Sequence, residues 1–387
     1  MTRRDLGKLA AAGSVALLPT VPPMARGDTP SPYTGPLEGF EDKVPSVAVD
    51  PVLYTRQLYE SAPLRLTFRA QNRKQAEAWQ KRLRSKLTEL LGGFPATRTA
   101  LKPATLETRE FPAYRREKFV FESRPGLFVL GYLLTPKSSP PPHPAMICLP
   151  GHGRGVDDIV GIDAQGRDRT GKPGYQHDFA IQVVERGMAA VAIEPLGFGC
   201  RRDLVTRKKG AEATACQPSA GAALLLGQTM IGWRVYDVMR AMDWIETRAE
   251  IDRRRVGCMG ISGGGTVTTF AAALEPRIRA AMVSGYLNTF RDSIMSLSHC
   301  IDNYVPGILA WAEMYDVAGL IAPRPLFVES GIKDDIFPLA ASKSSFARVQ
   351  RVYEVFDALP LARQQVFNDV HSFCGTEGLP FLAKHLA

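Results

Sequence analysis

Short apolar runs alternate with longer segments of helical period through most of the chain. Residues 145–149, 189–193, 256–259, 280–284, 326–329 and 365–367 form such runs and read as strands. Between them, residues 175–186, 230–247, 266–274 and 342–356 space their hydrophobic side chains as helices do. Strands this apolar have no wet face, so the alternation predicts an α/β protein. Its central sheet should be mostly parallel and doubly wound, with helices on both faces. Upstream, residues 71–91 place Ala76, Trp79, Leu83, Leu87 and Leu90 on one helical stripe, with Gly92 and Gly93 as a stop. Two further strand-like runs, 118–122 and 128–134, precede a proline-rich turn, TPKSSPPPHP. The pattern divides the chain into a leader over 1–26, a lead-in with the amphipathic helix over 27–114, and the main domain over 115–387.

One strand ends in a cluster of glycines, CMGISGGG, at residues 258–265. Gly260, Ser262 and Gly264 match Gly-x-Ser-x-Gly between a predicted strand and a predicted helix, the setting of a nucleophile elbow. The glycines two positions either side of the serine allow a turn sharp enough to lift its hydroxyl clear of the sheet. The Gly263 amide, at the helix start, then points at any oxyanion forming there. A serine hydroxyl needs a base, and the base an orienting acid. Asp334 and Asp335 follow the strand at 326–329, and the spacing Gly331-x-x-Asp334-x-x-x-Pro338 favours Asp334. His371 follows the final strand, completing the order Ser, Asp, His. His143, His177, His299 and His385 have plainer roles on the surface or in packing. The loop LPGHGRG, 149–155, offers the His152 amide as a second oxyanion donor. Its Gly151-x-Gly153 is too incomplete for a dinucleotide-binding turn.

With these residues in hand the chain resembles the α/β-hydrolase superfamily, in its bacterial dienelactone-hydrolase-like and acetyl-xylan-esterase-like branch. Besides the elbow and LPGHG, the resemblance rests on IEPLGFGCRRD (193–203) and on residues 300–338, and it spans about residues 115–387. It implies an α/β-hydrolase fold and hydrolysis of a carboxylic ester, such as an acetyl or similar small acyl ester, including one carried by a carbohydrate. Ser262, Asp334 and His371 would form the triad, with the His152 and Gly263 amides as the oxyanion hole. Members that cleave dienelactone use cysteine, so the serine here speaks against that substrate. A prolyl-oligopeptidase-like peptidase shares the triad but carries propeller repeats that this chain lacks. A non-catalytic binding protein on the same fold is the other alternative.

Composition adds limits. The net charge is +9, but Arg3, Arg4, Lys8 and Arg26 lie in the leader, and the remaining excess forms no basic arm that would bind nucleic acid. Paired arginines ahead of a short apolar segment (9–18) resemble a twin-arginine export signal, so the expected location is periplasmic or extracellular, without stable membrane insertion. The twin-arginine export machinery would then be the partner during secretion. Six cysteines lack Cys-x-x-Cys spacing, and neither a metal nor an organic cofactor is implied. Cys148 and Cys258 fall in predicted core strands, while Cys200 and Cys216 flank a polar loop and could pair in an oxidising compartment.

Overall fold

The structure of the protein is a computed structural model describing residues 35–169, 171–210 and 215–387. The leader expected over 1–26 lies outside the described residues. The chain separates into two compact units, 1–53 and 54–387. In the first, the described residues form two short 3-10 turns, Gly35–Leu37 and Ser46–Val49.

The second unit is built on one nine-stranded sheet. Its strands are β1 (Ala104–Glu110), β2 (Tyr114–Arg124), β3 (Leu127–Pro136), β4 (His143–Leu149), β5 (Ala189–Ile193), β6 (Ile251–Ile261), β7 (Ala280–Ser284), β8 (Leu326–Gly331) and β9 (Ala362–Phe367). Their order is β1-β2-β3-β5-β4-β6-β7-β8-β9. The first three strands, and β3 with β5, pair antiparallel; every other pair is parallel. This is the predicted class, an α/β-hydrolase fold. The unforeseen strand is β1, whose sequence ATLETRE is exposed along nearly its whole length. Backbone pairing to β2 holds it, and its charges suit an edge that must not recruit another chain.

Side chains of β4 alternate between two cores. Ala145, Ile147 and Leu149 join one, and Met146 and Cys148 the other. The first core takes the helices Arg73–Leu90, Met230–Ile245, Gly263–Leu274 and Leu339–Val355, with Leu83, Leu87, Trp244, Phe270 and Val349 inside. The second takes Phe179–Val184 and Gly378–Leu386 through Phe179, Val183, Leu379 and Leu382. Trp244 stacks on Phe119 with ring centroids 3.9 Å apart. Truncating a buried aromatic of this kind to alanine costs about 3–5 kcal/mol. Cys148 and Cys258 are both fully buried, as their strand positions predicted.

The helix predicted over 175–186 is shorter than expected. His177 and Asp178 take left-handed backbone (φ +51° and +46°), and the helix starts only at Phe179. The buried Asp178 carboxylate accepts the Gly161 amide at 3.0 Å and pairs with Arg169 at 2.7 Å, which holds these residues out of helix. From β4 the chain runs to β5 on one side and returns to β6 on the other. That reversal leaves a crevice at the carboxyl ends of β4 and β6, where such sheets bind ligands.

Candidate active site

Ser262 sits at the end of β6, with φ +55° and ψ −122°. A non-glycine residue held there stores of order 1–3 kcal/mol of strain. Its amide donates to the Ser284 carbonyl at the end of β7 (3.1 Å). The flanking glycines are required by close approach. A Cβ on Gly264 would fall inside contact distance of the Leu149 carbonyl oxygen, and one on Gly260 would come within 2.5 Å of the Gly264 backbone. The apolar strand and the glycine pair together fold the serine into this sharp, partly buried turn.

His371 lies in the loop after β9, and its Nδ1 meets Asp334 Oδ2 at 2.7 Å. Asp334 is buried, and its Oδ1 accepts the amides of Ile336 and Phe337 at 3.0 and 2.9 Å. Asp335 is exposed. The imidazole is flanked by the Phe337 and Tyr175 rings, with centroids 5.6 and 5.7 Å away. Gly285, just after β7 with φ +50°, makes room for it: a Cβ there would stand 2.8 Å from His371 Cε1. On the far side of the ring, Nε2 is buried and has no hydrogen-bond partner among the described residues. Buried polar atoms are rarely left so, and a reactive site is one recognised reason.

Tyr175 ties the three segments together. Besides flanking His371, its hydroxyl donates to the His152 carbonyl at 2.7 Å. A Cβ on Gly151 would collide with that hydroxyl and reach 3.1 Å from Ser262 Cβ. The Gly151 amide donates to Gln176 Oε1 at 2.8 Å, so both sides of the His152 peptide are anchored. The Gly263 amide, first in its helix, has no intrahelical acceptor by geometry. The His152 ring packs over Gly263, 3.2 Å from where a Cβ would stand, and against Phe198. Its Nε2 faces Asp302 Oδ2 at 3.4 Å and Cys216 Sγ at 3.7 Å. Burial disfavours charge on this ring, yet the hydrogen bonds to Asp302 and Cys216 prevail and push its pKa up to about 9.

Two buried carboxylates went unnoticed in the sequence. Glu329, on β8, accepts the Gly375 and Cys374 amides at 2.6 and 3.3 Å and so braces the loop carrying His371; burial pushes its carboxyl up to about 7. Glu194, just past β5, accepts the Val156 amide at 3.2 Å next to the His152 loop; burial pushes it up to about 8. The available signal was an acid set directly in or against an apolar strand, in FVESG and AVAIEP. Tyr175 carried no such signal. Cys216, which could have paired with Cys200, is free and lies instead beside His152, Cys300 and Asp302.

A cavity of about 290 Å³ opens beside the crevice, lined by His152, Arg154, Asp158, Arg169 and Tyr175. The segment after β7 forms an apolar groove of about 650 Å³, with Phe290, Ile294, Ile301 and Val305 in its walls. The groove reaches the site through His299, which lies edge-on to Phe337, 5.4 Å away.

Comparison with known proteins agrees with this architecture. YtaP of Bacillus subtilis (strain 168), which carries a hydrolase name, is 26% identical over 264 residues, 66% of this chain and 81% of that protein. A Bacteroides fragilis NCTC 9343 structure named for an acetyl xylan esterase superposes with TM-score 0.69 at 20% identity, covering 83% of this chain and 82% of that one. A glucuronoyl esterase from Solibacter usitatus gives TM-score 0.59 at 16% identity, over 80% of this chain and 94% of that one. At such identities the two structures speak for the fold. The Abhydrolase family model matches residues 53–359, which takes in the strained serine turn, the Asp334 strand end and the crevice between β4 and β6. On that match, with the sheet order and the serine turn beside it, the chain belongs to the Abhydrolase family.

Proposed function

We propose that this protein hydrolyses carboxylic esters through an acyl-enzyme on Ser262. The observation that carries the reading is the state of His371. One ring nitrogen is fixed on a buried carboxylate, and the other is buried and has no hydrogen-bond partner among the described residues. Ser262 Oγ attacks the ester carbonyl and passes its proton to His371 Nε2, while Asp334 holds the tautomer and stabilises the imidazolium. The tetrahedral oxyanion rests on the His152 and Gly263 amides, each such donor worth roughly 100–1,000-fold in turnover. Collapse expels the alcohol, which takes the proton from Nε2. Water then attacks the acyl-serine by the same route in reverse.

The acyl group is acetyl or similarly small, and the alcohol is a carbohydrate. A fold neighbour named for an acetyl xylan esterase supports this finer assignment, as do the Asp158 and Arg169 side chains lining the cavity beside His152. Rates on p-nitrophenyl acetate and on acetylated xylo-oligosaccharides, for wild type and Ser262→Ala, test it. Hydrolysis of both by wild type and neither by the variant is expected. Equal rates in the two proteins would remove the enzyme reading, and activity on the aryl ester alone would remove the carbohydrate half.

A further inference from the structure

Beside the triad, and unused by it, four side chains of metal-binding type converge from three loops. His152 comes from the loop after β4. Cys216 opens the helix Cys216–Leu225, in the excursion after β5. Cys300 and Asp302 belong to the excursion after β7. Their donor atoms, one from each, all lie within 4.8 Å of one another. We propose that His152, Cys216, Cys300 and Asp302 form a structural site for a thiophilic divalent cation of the zinc class. This inference stands apart from the ester-hydrolase reading.

Three features favour a metal over other readings. The first is the distance set. A tetrahedral zinc at ordinary bond lengths needs N···O of about 3.3 Å and S···N or S···O of about 3.6 Å. The structure has Nε2···Oδ2 3.4 Å, Nε2···Sγ 3.7 Å for Cys216, and Sγ···Oδ2 3.3 Å. The second is direction. A cysteine–histidine–aspartate catalytic unit would put thiol and carboxylate on opposite ring nitrogens. Here both face the same Nε2, as ligands around one centre do. The third is charge. Two thiolates and one carboxylate carry three negative charges, and a dication with the buried Arg234 guanidinium on Asp302 Oδ2 balances them. Binding would release both thiol protons and take the His152 ring neutral at Nε2. Asn303 donates to the other Asp302 oxygen at 3.0 Å and so orients the carboxylate.

The consequence is mechanical. A metal here would fasten the two excursions to His152, whose ring packs over Gly263 next to Ser262. Zinc was not foreseeable from spacing, because positions 152, 216, 300 and 302 match no finger or ribbon pattern.

The test uses the full chain, reduced and stripped with chelator, then titrated with Zn²⁺ and separately with Co²⁺. One equivalent of zinc should be retained through dialysis. Co²⁺ should give the thiolate-to-cobalt charge-transfer absorption and the intense visible bands of a four-coordinate site. Cys300→Ser should weaken zinc binding by at least about 100-fold, more than loss of an outer partner. Cys200→Ser should leave it unchanged and serves as the folded control. If Cys216→Ser fails to fold, Cys300→Ser still decides, since Cys300 is only partly buried. Less than about a tenth of an equivalent bound, unchanged affinity in Cys300→Ser, or a Cys216–Cys300 disulfide in a non-reducing peptide map would each overturn the proposal. None of these readouts depends on ester hydrolysis.

Discussion

Gly285→Ala tests whether His371 must stand where the fold holds it. Gly285 has φ +50°, a conformation that costs alanine about 1 kcal/mol more than glycine. The added methyl would stand 2.8 Å from His371 Cε1 and 3.0 Å from Nδ1. Ordinary carbon contacts lie at about 3.5–4.0 Å, so ring or backbone must yield by about 0.7 Å. The ring is the softer partner, and its move stretches the 2.7 Å bond to Asp334. A 1 Å misplacement near reacting groups costs on the order of 100-fold, so kcat on p-nitrophenyl acetate should fall about 30–100-fold. Stability should fall by only about 2–4 kcal/mol, the sum of backbone strain and overpacking. Steady-state kinetics paired with a urea midpoint separates the two effects. A kcat within about threefold of wild type, at the expected stability loss, would refute the positional argument.

Three further outcomes are expected, two from the site and its surroundings and one from the leader sequence. Asp334→Asn should lower kcat by about 10³–10⁴-fold by favouring the wrong tautomer, whereas the exposed Asp335→Asn should stay near wild type; the reverse ranking would reassign the acid. Glu329, pushed by burial from 4.5 to about 7, binds its proton more tightly folded than unfolded, so its contribution is fully present below about pH 4.5 and is lost as pH rises through about 7. That is about 3 kcal/mol, and Glu329→Gln should gain that much on wild type between pH 5 and pH 8 in urea midpoints; an equal difference at both pH values would contradict it. Replacing Arg3 and Arg4 with lysine should retain the protein in the cytoplasm of a bacterial host with a twin-arginine pathway, and unchanged export would dismiss the signal reading.

Much of the site was legible because its parts are encoded locally. The serine turn needs glycine at two fixed offsets from Ser262, and Asp334 and His371 each follow a strand that apolar runs reveal. The central runs, 145–149, 189–193, 256–259, 280–284 and 326–329, were visible because they are buried on both faces. What escaped is what depends on distant neighbours. β1 is an exposed, charged strand held by backbone pairing and by polar contacts such as Arg109 with Asp168, so it has no hydrophobic period to detect. The helix at 179–184 begins late because a buried ion pair between Asp178 and Arg169 overrides an otherwise helical stretch. Tyr175 matters through a ring contact with a residue 196 positions away and through one bond to a backbone carbonyl, neither of which a local pattern encodes. Cys216 drew notice as a partner for Cys200, its neighbour across the loop, while the fold sets it beside Cys300 and Asp302.

The central claim is that the hydroxyl of residue 262, activated from position 371, is the attacking group. Intact-mass analysis after exposure to diisopropyl fluorophosphate, followed by peptide mapping, tests it most directly. The account predicts one adduct per chain, on Ser262, absent from Ser262→Ala and much slower to form in His371→Ala. An unlabelled wild type that still hydrolyses esters, or an adduct on another residue, would contradict it.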